Sequence, residues 1–182
     1  MCDHCSNQGI ENAAGIADTA AAPDEMPKTY DPSSVEERLY KKWEERGYFH
    51  SEPNPDKPPY TIVIPPPNIT GQLHMGHALD ETMQDILIRY KRMSGFETLW
   101  LPGTDHASIA TEVKVVNKLA AEGISKTDIG REFFLEHAWA WKKEYGGRIV
   151  TQLRKLGSSC DWERERFTMD DGCSLSLIHI SE

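Results

Sequence analysis

Apolar residues first recur at helical spacing at Val35, Leu39 and Trp43, after Asp31-Pro-Ser-Ser, which offers an N-cap, and before Gly47, which can stop the helix. A proline-rich connector, residues 51–59, leads to Tyr60-Thr-Ile-Val-Ile64, a β-branched run of the kind found in a strand buried on both faces. Pro65 to Pro67 remove backbone donors and end it, Gly71 supplies a turn, and an apolar period resumes from about Met75 to Met93. Phe96-Glu-Thr-Leu-Trp-Leu101 reads as a second strand closed by Pro102-Gly103, and a helix is expected from about Ala107 to Ala121. Strand, helix, strand, helix is the pattern of an α/β domain with a parallel sheet.

Ser125-Lys-Thr-Asp introduces a further helix with Phe133, Phe134, Leu135, Trp139 and Trp141 assigned to core packing. A break is expected at Gly146-Gly147, with a second helix from Arg148 to Leu156 ending at Gly157. Residues 1–29 have no apolar period and are expected to be a disordered tail, with Met26 a candidate start. Residues 30–173 read as the ordered domain. The last stretch, 174–182, continues no pattern and reads as non-native read-through resembling translated adapter sequence.

At 182 residues the chain can hold one domain with a real core. No apolar run is long enough for a membrane span and no secretory signal is present, so a cytoplasmic location is expected. The net charge of -9 argues mildly against a nucleic-acid surface, although -4 of it lies in residues 1–30. Cys2, Cys5, Cys160 and Cys173 are too scattered for a disulfide framework, so reduced thiols are expected. Cys2-Asp-His-Cys5 is half of a zinc pattern without a second half, and no protein-bound metal is expected.

The chemistry concentrates in Pro67-Asn-Ile-Thr-Gly-Gln-Leu-His-Met-Gly-His77. A helix N-terminus presents unpaired N–H groups and partial positive charge, which suits a phosphate. Gly76 has no Cβ, so an adenine or ribose can lie on the backbone there. His74 and His77, three apart, share a helical face and can both donate hydrogen bonds to phosphoryl oxygens as charge builds up. In isolation an H-x-x-H pair is more simply a helix-start feature or a metal pair, and Asp105 after a strand is more simply a helix cap.

With Pro67, Asn68, Thr70, Gly71 and Leu73 in place before His74-Met-Gly-His77, the segment resembles the "HIGH" motif of class I aminoacyl-tRNA synthetases. Trp100-Leu-Pro-Gly-Thr-Asp-His-Ala-Ser-Ile-Ala-Thr111 resembles the valine-specific members, apart from Ser108, where many of those have Gly. Thr29-Tyr-Asp-Pro, Glu144-Tyr-Gly-Gly and the segment from Leu156 to Met169 resemble them too.

The resemblance implies a Rossmann-like parallel sheet, the first half of the catalytic core, with ATP at the carboxyl ends of the strands. It implies activation of valine by ATP with Mg2+, release of pyrophosphate and transfer to tRNA(Val), the tRNA contacts lying mainly in other domains. His74 and His77 would stabilise phosphates, and Thr70, Gly71 and Gly76 would join them at ATP. Asn68 and Asp105 would hold the α-ammonium, and Pro66 and Pro67 would wall a small apolar pocket. The Lys-Met-Ser-Lys-Ser loop is absent from this sequence, so the isolated chain is expected to be inactive, and a full-length protein is expected to be a monomer. Two alternatives are a small H-x-G-H adenylyltransferase and a non-catalytic binding module or unstable half-domain.

Overall fold

The computed structural model describes residues 28–181. The expected tail at 1–29 and the Cys2/Cys5 pair lie essentially or wholly outside that range. The domain from Pro32 on begins with a 3-10 turn, Pro32–Ser34, and helix α1, Glu36–Glu45. The helix starts after Val35 with no side-chain cap, so the cap expected at Asp31 gives way to the intervening turn. It does stop at Gly47, whose φ is +64°.

Strand β1, Pro59–Val63, helix α2, Met75–Met93, and strand β2, Glu97–Leu101, form a parallel crossover unit in the register Tyr60 to Thr98 and Ile62 to Trp100. α2 packs on the face carrying Tyr60, Ile62, Thr98 and Trp100, where Trp100 donates its indole N–H to Gln84 (3.0 Å). The expectation that β1 is buried on both faces is corrected: its residues alternate exposed and half-buried, and Val63 is 63% exposed. β1 pairs only with β2 among the described residues, and the face holding Thr61 and Val63 is bare.

Beyond Pro102 the strand direction continues as β3, Gly103–Thr104, paired in parallel with β4, Arg166–Phe167, a pairing the sequence reading did not anticipate. Between them lie α3, Ser108–Ala121, and α4, Lys126–Leu156. The break expected at Gly146-Gly147 is absent; α4 runs through both glycines, and its irregular point is Gly130, with φ +71°. Gly146 is buried, with the Ile69 side chain 3.9 Å from where a Cβ would stand, an ordinary van der Waals distance, so the position packs against the loop within a continuous helix rather than ending it.

The core joins Ile64, Ile69, Ile88, Trp100, Val115, Leu119, Trp141, Ile149 and Leu153. Phe133 (44% exposed) and Trp139 (50%) do not belong to it, contrary to the reading of every aromatic on this helix as core. Trp139 instead sits edge-on to Phe167. α1 is anchored by Tyr40, which donates to the Ser158 carbonyl (2.7 Å) and accepts from Trp162 Nε1 (2.7 Å). Glu81 on α2 is buried, and its Oε2 has no hydrogen-bond partner among the described residues. Cys160 and Cys173 are free thiols.

One expectation at the end of the sequence also changes. Residues 174–181, read as continuing no element, are part of helix α5, Asp171–Ser181, whose first turn is capped by Asp170: Oδ1 accepts from Cys173 N–H (2.7 Å). Leu175 and Ile180 on that helix are exposed. Arg164 pairs with buried Asp161 and with Glu52 (3.1 Å), and Arg166 pairs with Asp170 (2.8 Å).

Candidate functional site

The triple proline leaves β1 in a conformation that brings the following loop alongside β3. The Pro67 carbonyl accepts from Asp105 N–H (2.8 Å), and the Asp105 carbonyl accepts from Ile69 N–H (2.9 Å). Asn68 and Asp105 are thereby partners in an isolated parallel bridge, placed side by side by main-chain atoms alone. Asn68 is exposed, while Ile69 is buried beneath the loop.

Helix α4 holds this loop from below. Trp141 donates its indole N–H to the Ile69 carbonyl (2.7 Å), and Gln152 accepts from Leu73 N–H (3.0 Å). Thr70 and Gly71 lie half-buried between those two anchors. Loop carbonyls and amides that would otherwise be unpaired are thus tied to a long, rigid helix.

At the start of α2, His74 is the N-cap. Its Nδ1 accepts from Gly76 N–H (3.1 Å), and His77 Nδ1 accepts from His74 N–H (3.2 Å), a reciprocal capping box made of two imidazoles. Because each Nδ1 accepts a backbone proton, each neutral ring carries its proton on Nε2 and has that N–H to offer elsewhere. The rings stand 4.0 Å apart, as the three-residue spacing implies. Burial, then the neighbouring His74, holds the His77 pKa below its ordinary value, which favours the neutral donor form. Gly76 has an internal reason as well: a Cβ there would lie 2.9 Å from the His74 ring.

Asp105 has a second set of contacts. Thr168 donates to its Oδ1 (2.8 Å), and His106 Nδ1 lies 3.2 Å from the same oxygen. Thr168 Oγ1 also accepts from His106 N–H (3.0 Å) and meets His106 Nδ1 (2.7 Å). After His106 the chain turns sharply, with φ +50° at Ala107 and +29° at Ser108. A glycine at 108 would take that backbone without steric cost, which gives the departure noted at this position a physical meaning.

Of the residues singled out in the sequence, the structure joins Asn68 to Asp105 and His74 to His77, with Gly76 beneath the His74 ring. It separates the two prolines. Pro67 is buried and supplies the bridge carbonyl, whereas Pro66 is exposed and lines a cavity of about 160 Å³ with Val63, Ile64, Leu101 and Thr104. Trp141, Gln152 and Thr168 were not identified as site residues. Their signals are weak: one core-type tryptophan, one surface-type glutamine and one threonine distant in sequence.

A family model for class I tRNA synthetases (I, L, M and V) matches residues 38–181, and the chain belongs to that family. The curated proteins it resembles include valine–tRNA ligases. That of Carboxydothermus hydrogenoformans is 66% identical over 155 residues, 85% of this chain and 18% of its own length. That of Geobacter sulfurreducens is 59% identical over 159 residues (87% and 18%), and that of Clostridium tetani 66% over 146 residues (80% and 17%). The chain therefore spans under a fifth of the length of these relatives. Among solved structures, the LeuRS of Agrobacterium radiobacter K84 in a ternary complex with tRNA and LeuAMS superposes with a TM-score of 0.68, covering 84% of this chain and 18% of that one at 21% identity. That likeness establishes the α/β fold with parallel pairings. The family match removes the small adenylyltransferase alternative.

Proposed function

We propose that the chain provides the first half of the adenylate-forming site of a valine–tRNA ligase, within a Rossmann-like core completed by further polypeptide. The observation that carries this reading is that the segments leaving the carboxyl ends of β1 and β2 carry both the imidazole-capped start of α2 and the Asn68–Asp105 bridge. One half presents N–H donors suited to phosphate; the other presents a carboxylate and an amide suited to an α-ammonium.

In the reaction, the valine carboxylate attacks the α-phosphorus of ATP, which arrives with its Mg2+, and pyrophosphate leaves. The valyl group then passes to the terminal ribose of tRNA(Val). His74 and His77 donate from Nε2 to the phosphates as charge accumulates, while Thr70, Gly71 and Gly76 leave room for the nucleotide. Asp105 takes the ammonium with help from Asn68, and Pro66 and Pro67 stiffen the wall around the isopropyl group. Such a pocket separates side chains differing by one methylene by only about 1–3 kcal/mol. No covalent step on the protein is needed, since positioning and charge stabilisation lower the barrier.

The test is a chimaera in which this chain replaces the matching 155-residue segment of the Carboxydothermus hydrogenoformans enzyme. Valine-dependent exchange of pyrophosphate into ATP, lost on Asp105→Ala, is expected. No exchange, or a preference for isoleucine, would overturn the reading. The isolated chain is expected to show no measurable exchange.

A further inference from the structure

We infer that Thr168 is a positioning residue for amino-acid binding: its hydroxyl donates to Asp105 Oδ1 and holds the His106 ring N–H that lies beside that same oxygen, so that the carboxylate keeps its orientation with Oδ2 turned to the substrate. This rests on the reading of Asp105 as the α-ammonium ligand.

The proton inventory determines the direction of every bond around Thr168. A threonine hydroxyl has one proton to give and can accept two. Ionised Asp105 can only accept, and the His106 backbone N–H can only donate. If the hydroxyl proton went to His106 Nδ1, the Thr168 and Asp105 oxygens would face each other at 2.8 Å with no proton between them. The consistent arrangement has Thr168 donating to Asp105 Oδ1 and accepting from both His106 N–H and His106 Nδ1–H. The hydroxyl is then saturated, and His106 Nδ1–H is drawn to the nearer threonine oxygen at 2.7 Å rather than to Asp105 at 3.2 Å. Among the described residues, Asp105 Oδ2 has no hydrogen-bond donor assigned to it, so that oxygen is free for a substrate ammonium.

Thr168 is built into this position. Its own N–H donates to the Thr104 carbonyl (3.1 Å), extending the β3–β4 pairing. Asp170 fixes the turn just beyond by accepting from Phe167 N–H (3.2 Å) and Cys173 N–H (2.7 Å). Gly103 permits the approach of β4, since a Cβ there would be 2.9 Å from the Arg166 carbonyl oxygen. Phe167 sets its ring edge-on to His106 at 6.4 Å. A segment more than sixty residues away in sequence thus sets the orientation of the Asp105 carboxylate.

Without the hydroxyl, Asp105 Oδ1 is the nearest acceptor left to the His106 ring N–H among the described residues, and a bond there draws charge from the carboxylate and turns it from the orientation that serves the ammonium. An ammonium bound alike in the ground and transition states affects KM rather than kcat. In the chimaera described above, Thr168→Val should raise KM for valine about tenfold while kcat changes by less than about threefold and KM for ATP holds. Thr168→Ser, which keeps the hydroxyl, should restore KM for valine. A parallel fall of kcat with unchanged KM, or failure of serine to rescue, would overturn the proposal. So would unaltered kinetics in the valine variant. Asp105→Asn separates the layers: if it leaves KM for valine unchanged, the ammonium reading itself fails; if it raises KM while Thr168→Val does not, only the role of Thr168 falls. A chimaera without any exchange refutes both.

Discussion

Replacing Glu81 by Gln should remove a pH dependence that the wild-type chain carries in its core. Glu81 is 1% exposed, its Oε2 is unpartnered among the described residues, and Asp80 and Asp85 lie nearby on the same helix, with Cys160 packed across from it. Burial first, then those two carboxylates, pushes its pKa from 4.5 up to about 8. The folded state therefore holds this proton more tightly than the unfolded state. The resulting stabilisation is fully present below pH 4.5, declines through the interval, and is gone once the pH passes about 8. At about 1.4 kcal/mol per pH unit, with both plateaus rounded, the loss between about pH 5 and about pH 8 is roughly 3–4 kcal/mol. That is a large share of an ordinary domain's stability of about 5–15 kcal/mol. Urea unfolding followed by tryptophan fluorescence on the wild-type chain and on Glu81→Gln measures it. The stability difference between the two should move by that amount across the interval, to the disadvantage of the wild type as pH rises. A change below about 1 kcal/mol would refute the reasoning, because Glu81 would then be ionised in the folded state with little penalty.

Three other outcomes follow from the geometry. Trp141→Phe keeps the ring in the core but leaves the Ile69 carbonyl without its donor, so thermal unfolding should register a loss of about 1–3 kcal/mol. Gly103→Ala forces a methyl against the Arg166 backbone, and a destabilisation of about 1–3 kcal/mol in the same assay is expected; a neutral effect would mean that the β3–β4 pairing yields easily. In the chimaera, His74→Ala or His77→Ala should each lower the exchange rate by roughly 10²–10³-fold, as removal of a transition-state donor does, with KM for valine little changed. A large rise in KM for valine instead would place these rings at the amino acid.

The alternation of strand and helix was legible because β-branched runs and helical apolar spacing are local signals: β1, α2, β2 and α3 all lie within a few residues of where the pattern places them. So was the adjacency of His74 and His77, which helix geometry dictates. What escaped detection depends on distant partners. Gly146-Gly147 signals a stop in a lone helix, but Gly146 is buried against Ile69 from a loop far upstream, and the packed helix continues through both. Tyr60 to Ile64 has the composition of a doubly covered strand, yet cover is a property of neighbours, and one face of β1 has none among the described residues. Phe133 and Trp139 are apolar by type and exposed by position. Thr168 carries no local mark at all; only the pairing of β4 with β3 brings it to Asp105.

The Asn68–Asp105 bridge has an evolutionary consequence. Its two bonds are between main-chain atoms of Pro67, Asp105 and Ile69, so they do not depend on which side chains occupy 68 and 105. A lineage can therefore exchange those side chains one at a time while the backbones stay in register, and each variant displays its new chemistry from the same two positions. Heritable change in what is recognised is thereby separated from the main-chain pairing that holds the two segments together. A pair placed by mutual side-chain contact would not have that freedom, since each substitution there would also move its neighbour.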